Sequence, residues 1–483
     1  MEDKVFDAIV IGAGPGGTTI ASLLANDGEK VLLIDKNHLP GGRMTTFKRD
    51  GFKYELFPIN CVPMRNSLFE ELATRLNKQD RVKPIYGDEF PKISMISYEN
   101  KKGKVKTWDF TKSPFELLHT FGLKRWNLPA LKKVGVFFKT LENMPLSEIE
   151  KLQTISAFDY VKKFGLHEGV STYFLAAFAE GSFETTADKV TAAEMVRQFQ
   201  TASKGGGGRF YECGIGGFFE VMAEAVEENG GKLLMNNRVE KINIENKRAT
   251  GITTADGKTY QSKLIISSAG IRQTAIKLVG EEHFDSEYIA KLKKLENTLA
   301  CVGYRFFTNV PVIDYIMKVY FPYGCIEPYH EFEKMAKGQK KPESNYIYIG
   351  TTSHYQGMAP KGKQCVYAVM SCAPDPKIDV KPYLDYITQR IKKIEPQIFE
   401  HIERTEIMSP ATVPSVGNDS IMDGQGGEAY GIALTVGQTG ENRPKAKSPV
   451  PGLYYVGNDV EGIGLGTHLA VDSGFKVYEM LKN

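Results

Sequence analysis

The feature that most constrains this chain is a glycine-rich connection near its start. Gly12-Ala13-Gly14-Pro15-Gly16-Gly17 sets glycines at the G-x-G-x-x-G spacing, between apolar runs at residues 5–11 and 31–34. Short runs of that kind, without alternation, suit parallel strands buried on both faces. The intervening residues 18–26 (TTIASLLAN) predict a helix stopped by Gly28. Each glycine has a steric task in such a βαβ unit. Gly12 permits the tight turn, Gly14 lets backbone N–H groups approach a pyrophosphate, and Gly17 lets helix and strand pack closely. The helix start, with Ala13, Pro15 and Gly16 around it, offers positive potential to phosphates. Asp35, followed by Lys36, ends the second run, where a carboxylate can accept hydrogen bonds from ribose hydroxyls. A bound dinucleotide is expected, and the spacing alone leaves FAD and NAD both open.

Composition narrows the class. The chain has 483 residues, which at about 150 per domain suggests two large domains or three smaller ones. With 42% hydrophobic and 25% charged residues it is neither disordered nor membrane-spanning in character. A net charge of +3 gives no reason to expect a nucleic-acid partner. Cys61, Cys213, Cys301, Cys325, Cys365 and Cys372 show no metal-ligand spacing with the histidines, so reduced thiols and no metal site are expected. The start lacks a signal-peptide pattern, and no apolar run reaches the 18 or so residues of a membrane span. A cytoplasmic protein is expected. Residues 115–138 mix Trp126 and large apolar residues with Lys124, Arg125, Lys132 and Lys133, a composition that suits either a helix packed on its own domain or contact with a membrane surface.

Further segments separate FAD from NAD. Pro40-Gly41-Gly42-Arg43-Met44 follows the second run, offering backbone room and a guanidinium fork beside a diphosphate. Near the end, residues 451–459 (PGLYYVGND) read as a strand, then the turn Gly457-Asn458-Asp459, residues 461–467 (EGIGLGT) and a helix over 468–482. In the middle come Gly214-Ile215-Gly216-Gly217, a helix over 218–228, strands around Val239, a hairpin with Asp256-Gly257 at its turn, and residues 263–270 (KLIISSAG). In this order the chain resembles the FAD-dependent amine oxidase and protoporphyrinogen oxidase superfamily. Tyr430-Gly431, Gln438 and Arg443-Pro444 resemble its phytoene desaturase-like branch in particular.

The resemblance implies FAD, held by Gly12, Ala13, Gly14, Pro15, Gly16, Gly17, Asp35, Lys36, Gly42, Arg43, Val239, Ala269, Gly457, Asn458, Asp459, Thr467, His468 and Leu469. Either Asn458 or Asp459 is the contacting side chain of its turn. The implied fold is α/β, a discontinuous Rossmann-type FAD-binding domain (1–75, 205–295, 415–483) interleaved with an α+β substrate domain (76–204, 296–414). Aromatic residues of the second insert, such as Tyr304, Phe306, Tyr348 and Tyr367, are expected to form core and, in a few cases, to line a cavity. Alternation in residues 345–351 and 365–370 predicts antiparallel strands with one covered face. The glycines at 205–208 suggest a mobile crossing between domains.

The implied activity is hydride transfer between flavin and an apolar, isoprenoid or carotenoid-like substrate, introducing, isomerising or reducing C=C bonds. The electron acceptor is open among a quinone, O2 and NAD(P). An amine oxidase and an FAD-binding protein without turnover are the alternatives. His468, at the start of the last helix, is the suggested protic side chain, since a helix N-terminus keeps an imidazole neutral.

Overall fold

Strand Ala8–Ile11 lies at the centre of a five-stranded parallel sheet in the order Leu453–Tyr455, Ile265–Ser267, Ala8–Ile11, Val31–Ile34 and Lys232–Leu234. The computed structural model describes residues 4–57, 66–86, 94–109, 112–204, 208–417 and 419–482. Ala8–Ile11 and Val31–Ile34 are buried at every position, as uninterrupted apolar runs require. Three distant stretches of chain thus meet in one sheet. The helix after the first strand runs Pro15–Asn26, beginning three residues earlier than the apolar pattern alone suggests. Pro15 explains this: at the first helical position its missing N–H costs nothing and its φ is already helical.

The expected middle segment also forms. Helix Ile215–Glu228 is followed by Lys232–Leu234, and Val239–Glu245, Arg248–Thr254 and Thr259–Gln261 make an antiparallel sheet. Its glycine turn has a different task from the one at residue 12. Gly216 N–H donates to Thr46 Oγ1, and Ile215 N–H donates to the buried Glu55 carboxyl. These glycines therefore seat the helix on Thr46 and Glu55. Residues 76–86 stay with this part of the molecule: Leu76, Val82 and Ile85 join the core of Phe210 and Phe218, and Pro84–Tyr86 pairs with Gly208–Tyr211. Of the glycine run at 205–208, residues 205–207 lie outside the described residues, as does Cys61.

A second, seven-stranded sheet has the order Ile402–Met408, Ala300–Thr308, Gln364–Cys372, Ile347–Gly350, Met317–Phe321, Ser94–Glu99 and Val105–Asp109. All its pairings are antiparallel except Met317–Phe321 with Ser94–Glu99. Gln364–Cys372 is buried on both faces, not one. Val366, Ala368 and Met370 pack with helix Lys381–Ile394 through Leu384, Ile387 and Ile391. The opposite face, with Tyr367 and Val369, packs with Tyr348 and Met408. Residues 115–138 do not form one amphipathic segment. They divide into helices Pro114–Thr120 and Leu128–Glu142, with Trp126 77% exposed between them.

The Gly17 packing has a measurable cost. A Cβ at Gly17 would overlap the Gly12 carbonyl oxygen. Gly17→Ala should lower stability to urea unfolding by about 1–3 kcal/mol, as overpacking does. Gly135→Ala, in helix Leu128–Glu142 with nothing within 4 Å of the added carbon, should raise it by about 0.5–1 kcal/mol.

Candidate cofactor cleft and adjoining cavity

The Gly12 turn, the strand end at Asp35, the Gly42-Arg43 loop, Val239 and the C-terminal turn converge on one open cleft of about 1090 Å³. Gly12, Gly14, Pro15, Gly16, Asp35, Lys36, Gly42, Arg43, Val239, Ala269, Gly457, Asn458, Asp459 and Thr467 all line it. Gly12 takes φ of 94°, which a side chain would strain. Gly14 caps helix Pro15–Asn26 without any side-chain hydrogen bond, so the helix start opens on the cleft. Carbons added at Gly14 and Gly457 would meet only Ser268 Oγ, at 3.8 and 3.9 Å. Backbone is bare there, toward space a ligand can fill.

Several side chains are already engaged. Asp35 accepts from Ala13 N–H and Asn37 N–H, each at 2.7 Å, so it staples the glycine turn as well as lining the cleft. Burial pushes its carboxyl upward against those bonds. Arg43 was expected to present its whole fork to a diphosphate, but its terminal nitrogens donate to Glu428 Oε1 (3.0 Å) and the Tyr430 carbonyl (3.1 Å). Its Nε remains buried and without a partner. Lys36 donates to Asp419 at 2.7 Å, and Arg238 and Lys277 converge on the same carboxylate. Burial alone would raise the Asp419 carboxyl; the bonds from Lys36, Arg238 and Lys277 outweigh it and hold the group at about 2.

The C-terminal turn divides its two polar residues by task. Asp459 accepts from Ile432 N–H (3.0 Å) and Ile271 N–H (3.1 Å), and a side chain at Gly431 would collide with it. Asn458 Oδ1 is buried without a partner on the cleft wall. Gln273 Oε1 is in the same condition. Three polar atoms without a partner among the described residues, and bare glycine backbone, in one cleft fit a dinucleotide such as FAD, with Asn458 and Arg43 Nε as contacts. Arg443 and Gln438 hold the turn from behind: Arg443 donates to the Ala433 and Ile432 carbonyls, and Gln438 to those of Glu296 and Ala433.

Ala13, Gly17, His468 and Leu469 do not line the cleft. Ala13 acts through its backbone bond to Asp35, and Gly17 through packing. In helix Gly466–Lys482, residues 467 and 470 face the cleft, and the helical repeat turns 468 and 469 away. The His468 ring instead meets Phe69 edge-on, with centroids 4.8 Å apart. Burial lowers its pKa to about 4, so the imidazole is neutral, as expected, but in apolar packing and not at the redox site. The sequence reading missed Ser268, Gln273, Arg238 and Asp419. Asp419 carries no local signal, because its partners come from residues 36, 238 and 277.

A second, open cavity, about 920 Å³ counting the space open to solvent, adjoins the cleft at Val416, which lines both. Phe47, Leu56, Phe57, Ile407 and Met408 give it apolar walls, and Cys301, Arg305 and Glu406 add polar ones. The aromatic lining of the two cavities comes from Phe47, Phe57 and Tyr430, outside the second insert. Tyr304, Phe306, Tyr348 and Tyr367 lie in or against packed clusters.

The comparisons with known proteins agree with this geometry. The chain belongs to the flavin containing amine oxidoreductase family, whose profile matches residues 16–477. The chain is an FAD-dependent oxidoreductase of that family, and the curated relatives it is similar to carry the names phytoene desaturase and prolycopene isomerase. It is 23% identical over 512 residues to a neurosporene-forming phytoene desaturase of Rhodobacter capsulatus, covering 98% of this chain and 93% of that protein. It is 25% identical over 403 residues to a chloroplastic prolycopene isomerase of Daucus carota, covering 74% of this chain and 63%, less than two thirds, of that protein. An oxidoreductase structure from Methanosarcina mazei shares the fold, with TM-score 0.70, 20% identity and coverage of 98% and 99%.

Two outcomes test the turn and the helix behind it. Asn458→Ala should weaken FAD binding up to about tenfold in a fluorescence titration, the worth of one hydrogen bond, whereas Asp459→Ala should lower thermal stability. His468 binds a proton near pH 6.5 when unfolded and only near about 4 when folded. Stability should therefore fall as pH drops through that window, by up to roughly 3 kcal/mol. His468→Asn should flatten the loss in acid unfolding curves.

Proposed function

We propose that the protein alters C=C bonds of a long, largely apolar polyene of the isoprenoid or carotenoid type. The observation that carries this reading is the apolar cavity of Phe47, Leu56, Phe57, Ile407 and Met408 joined to the cofactor cleft at Val416. The names of the desaturase and isomerase relatives support it. FAD, when bound, supplies a two-electron acceptor or donor of hydride. The chain's own residues do the rest. The start of helix Pro15–Asn26 and Arg43 would hold the anionic part of the cofactor, and Asn458 would offer an acceptor at the C-terminal turn. The apolar walls of the adjoining cavity offer contact to an apolar chain. On this reading segments 1–75, 205–295 and 415–483 serve the cofactor and segments 76–204 and 296–414 the substrate, with residues 76–86 packed on the cofactor side.

The same reading assigns a membrane contact. Among the described residues no helix is long and apolar enough to cross a bilayer. Trp126 (77% exposed) and Leu128 (70%) stand out beside the exposed Lys124, Arg125, Lys132 and Lys133. Such a surface can rest on anionic lipid, where an apolar substrate resides.

The test presents phytoene or prolycopene in anionic vesicles to the FAD-loaded protein and follows polyene absorption and products by chromatography. Conversion is expected, and a Trp126→Ser/Leu128→Ser variant should convert vesicle-borne polyene about tenfold more slowly while matching wild type in detergent. Hydrogen peroxide released with simple amines, with both polyenes untouched, would overturn the reading in favour of an amine oxidase.

A further inference from the structure

One buried acid behind the Cys301 wall of the apolar cavity has no part in the roles assigned so far. Glu184 follows the short helical stretch Gly181–Phe183 and takes φ of 46°. A non-glycine residue in that left-handed region is uncommon, and such strain persists only where the surroundings impose it, often at functional positions. Glu184 Oε2 accepts a hydrogen bond from Ser371 Oγ at 3.1 Å. Ser371 stands opposite Cys301 in the ladder of Ala300–Thr308 with Gln364–Cys372. Cys301 is on the wall of the apolar cavity. Tyr430 lines the cofactor cleft, and burial first and the nearby Glu184 second push its hydroxyl upward.

The groups that face Glu184 are themselves neutral in ordinary conditions. They are Cys301, Tyr346, Tyr348, Cys372 and Tyr430, with Glu180 one turn earlier on its own element. Burial pushes each of these upward, Glu180 included. Among the described residues no cation offsets the burial of Glu184, which raises its carboxyl to about 8. At neutral pH the group is an O–H donor in apolar surroundings. The Tyr348 hydroxyl is pressed close to this turn, and a side chain at Gly181 would overlap it.

We propose that Glu184 is the general acid and base that protonates a polyene in the apolar cavity and then takes a proton back. The proposal rests on the C=C reading above. The O–H proton goes to one olefinic carbon, whose π pair makes the new C–H bond, while the O–H pair stays on the carboxylate. The adjoining carbon is left electron-poor, and the bond between the two carbons can rotate. Return of a proton from the first carbon to the carboxylate restores the π pair. No oxidant or reductant is consumed, so the step yields isomerisation or a shifted double bond.

The test uses the FAD-loaded full chain in D2O with prolycopene in detergent micelles. Wild type should place deuterium at olefinic positions as the polyene isomerises. Glu184→Gln should slow exchange about a hundredfold or more, the usual share of a general acid, with FAD content and polyene binding unchanged. Glu184→Asp should recover part of the rate. Exchange by Glu184→Gln at the wild-type rate would overturn the proposal. A second readout stands apart from turnover: the carboxylic C=O infrared band should shift when squalene, an unconjugated apolar probe, is added, and should be missing in Glu184→Gln. If wild type neither converts nor exchanges prolycopene, the C=C reading fails. The band then decides for Glu184: a shift that vanishes in the variant supports its place at the cavity, and an unmoved band refutes it.

Discussion

The cleft depends on one contact in which the two ends of the chain approach more closely than side chains would permit. Gly16, in the first helix, lies where an added carbon would meet the Gly457 N–H at 2.9 Å and the Ala470 carbonyl at 3.0 Å. Gly474, in the last helix, would meet Thr19 at 2.9 Å and the Gly16 carbonyl at 3.0 Å. Helices Pro15–Asn26 and Gly466–Lys482 can lie this near only because neither presents a Cβ at the crossing. That approach sets the Gly12 turn opposite the Gly457 turn, and the cofactor cleft is the space left between them.

Charge within the cleft is arranged before any ligand enters. Asp419 draws Lys36, Arg238 and Lys277 together, and Glu428 holds Arg43. Cations paired in this way are fixed in position, so an incoming anion meets preorganised donors and little rearrangement is needed. The Tyr430 ring on the cleft wall is neutral, while its carbonyl helps hold Arg43.

Much of the parallel sheet was legible because its signals are local. Uninterrupted runs such as residues 8–11 and 31–34 can hardly fit anything but a strand buried on both faces, and the glycine spacing between them has few steric alternatives. The C-terminal turn was legible as a place but not as an assignment. Only the structure shows that Asp459 is used up on two backbone N–H groups, leaving Asn458 facing the cleft. His468 shows the limit from the other direction. Its place at a helix start was read correctly, yet a rotation of one residue about the helix axis separates cleft from core, and sequence spacing does not carry that phase.

The amino-acid sequence by itself therefore determined the βαβ unit, the dinucleotide-binding turn and the strands that complete the sheet, because backbone sterics and unbroken apolar runs act over a few residues. Tertiary structure alone decided which polar atoms remain free on the cleft wall, which cations Asp419 gathers, and where Glu184 stands. Those facts depend on partners hundreds of residues apart, such as Lys36 with Asp419 and Glu184 with Ser371. Whether a buried polar group is spent or left available is settled by its neighbours in space.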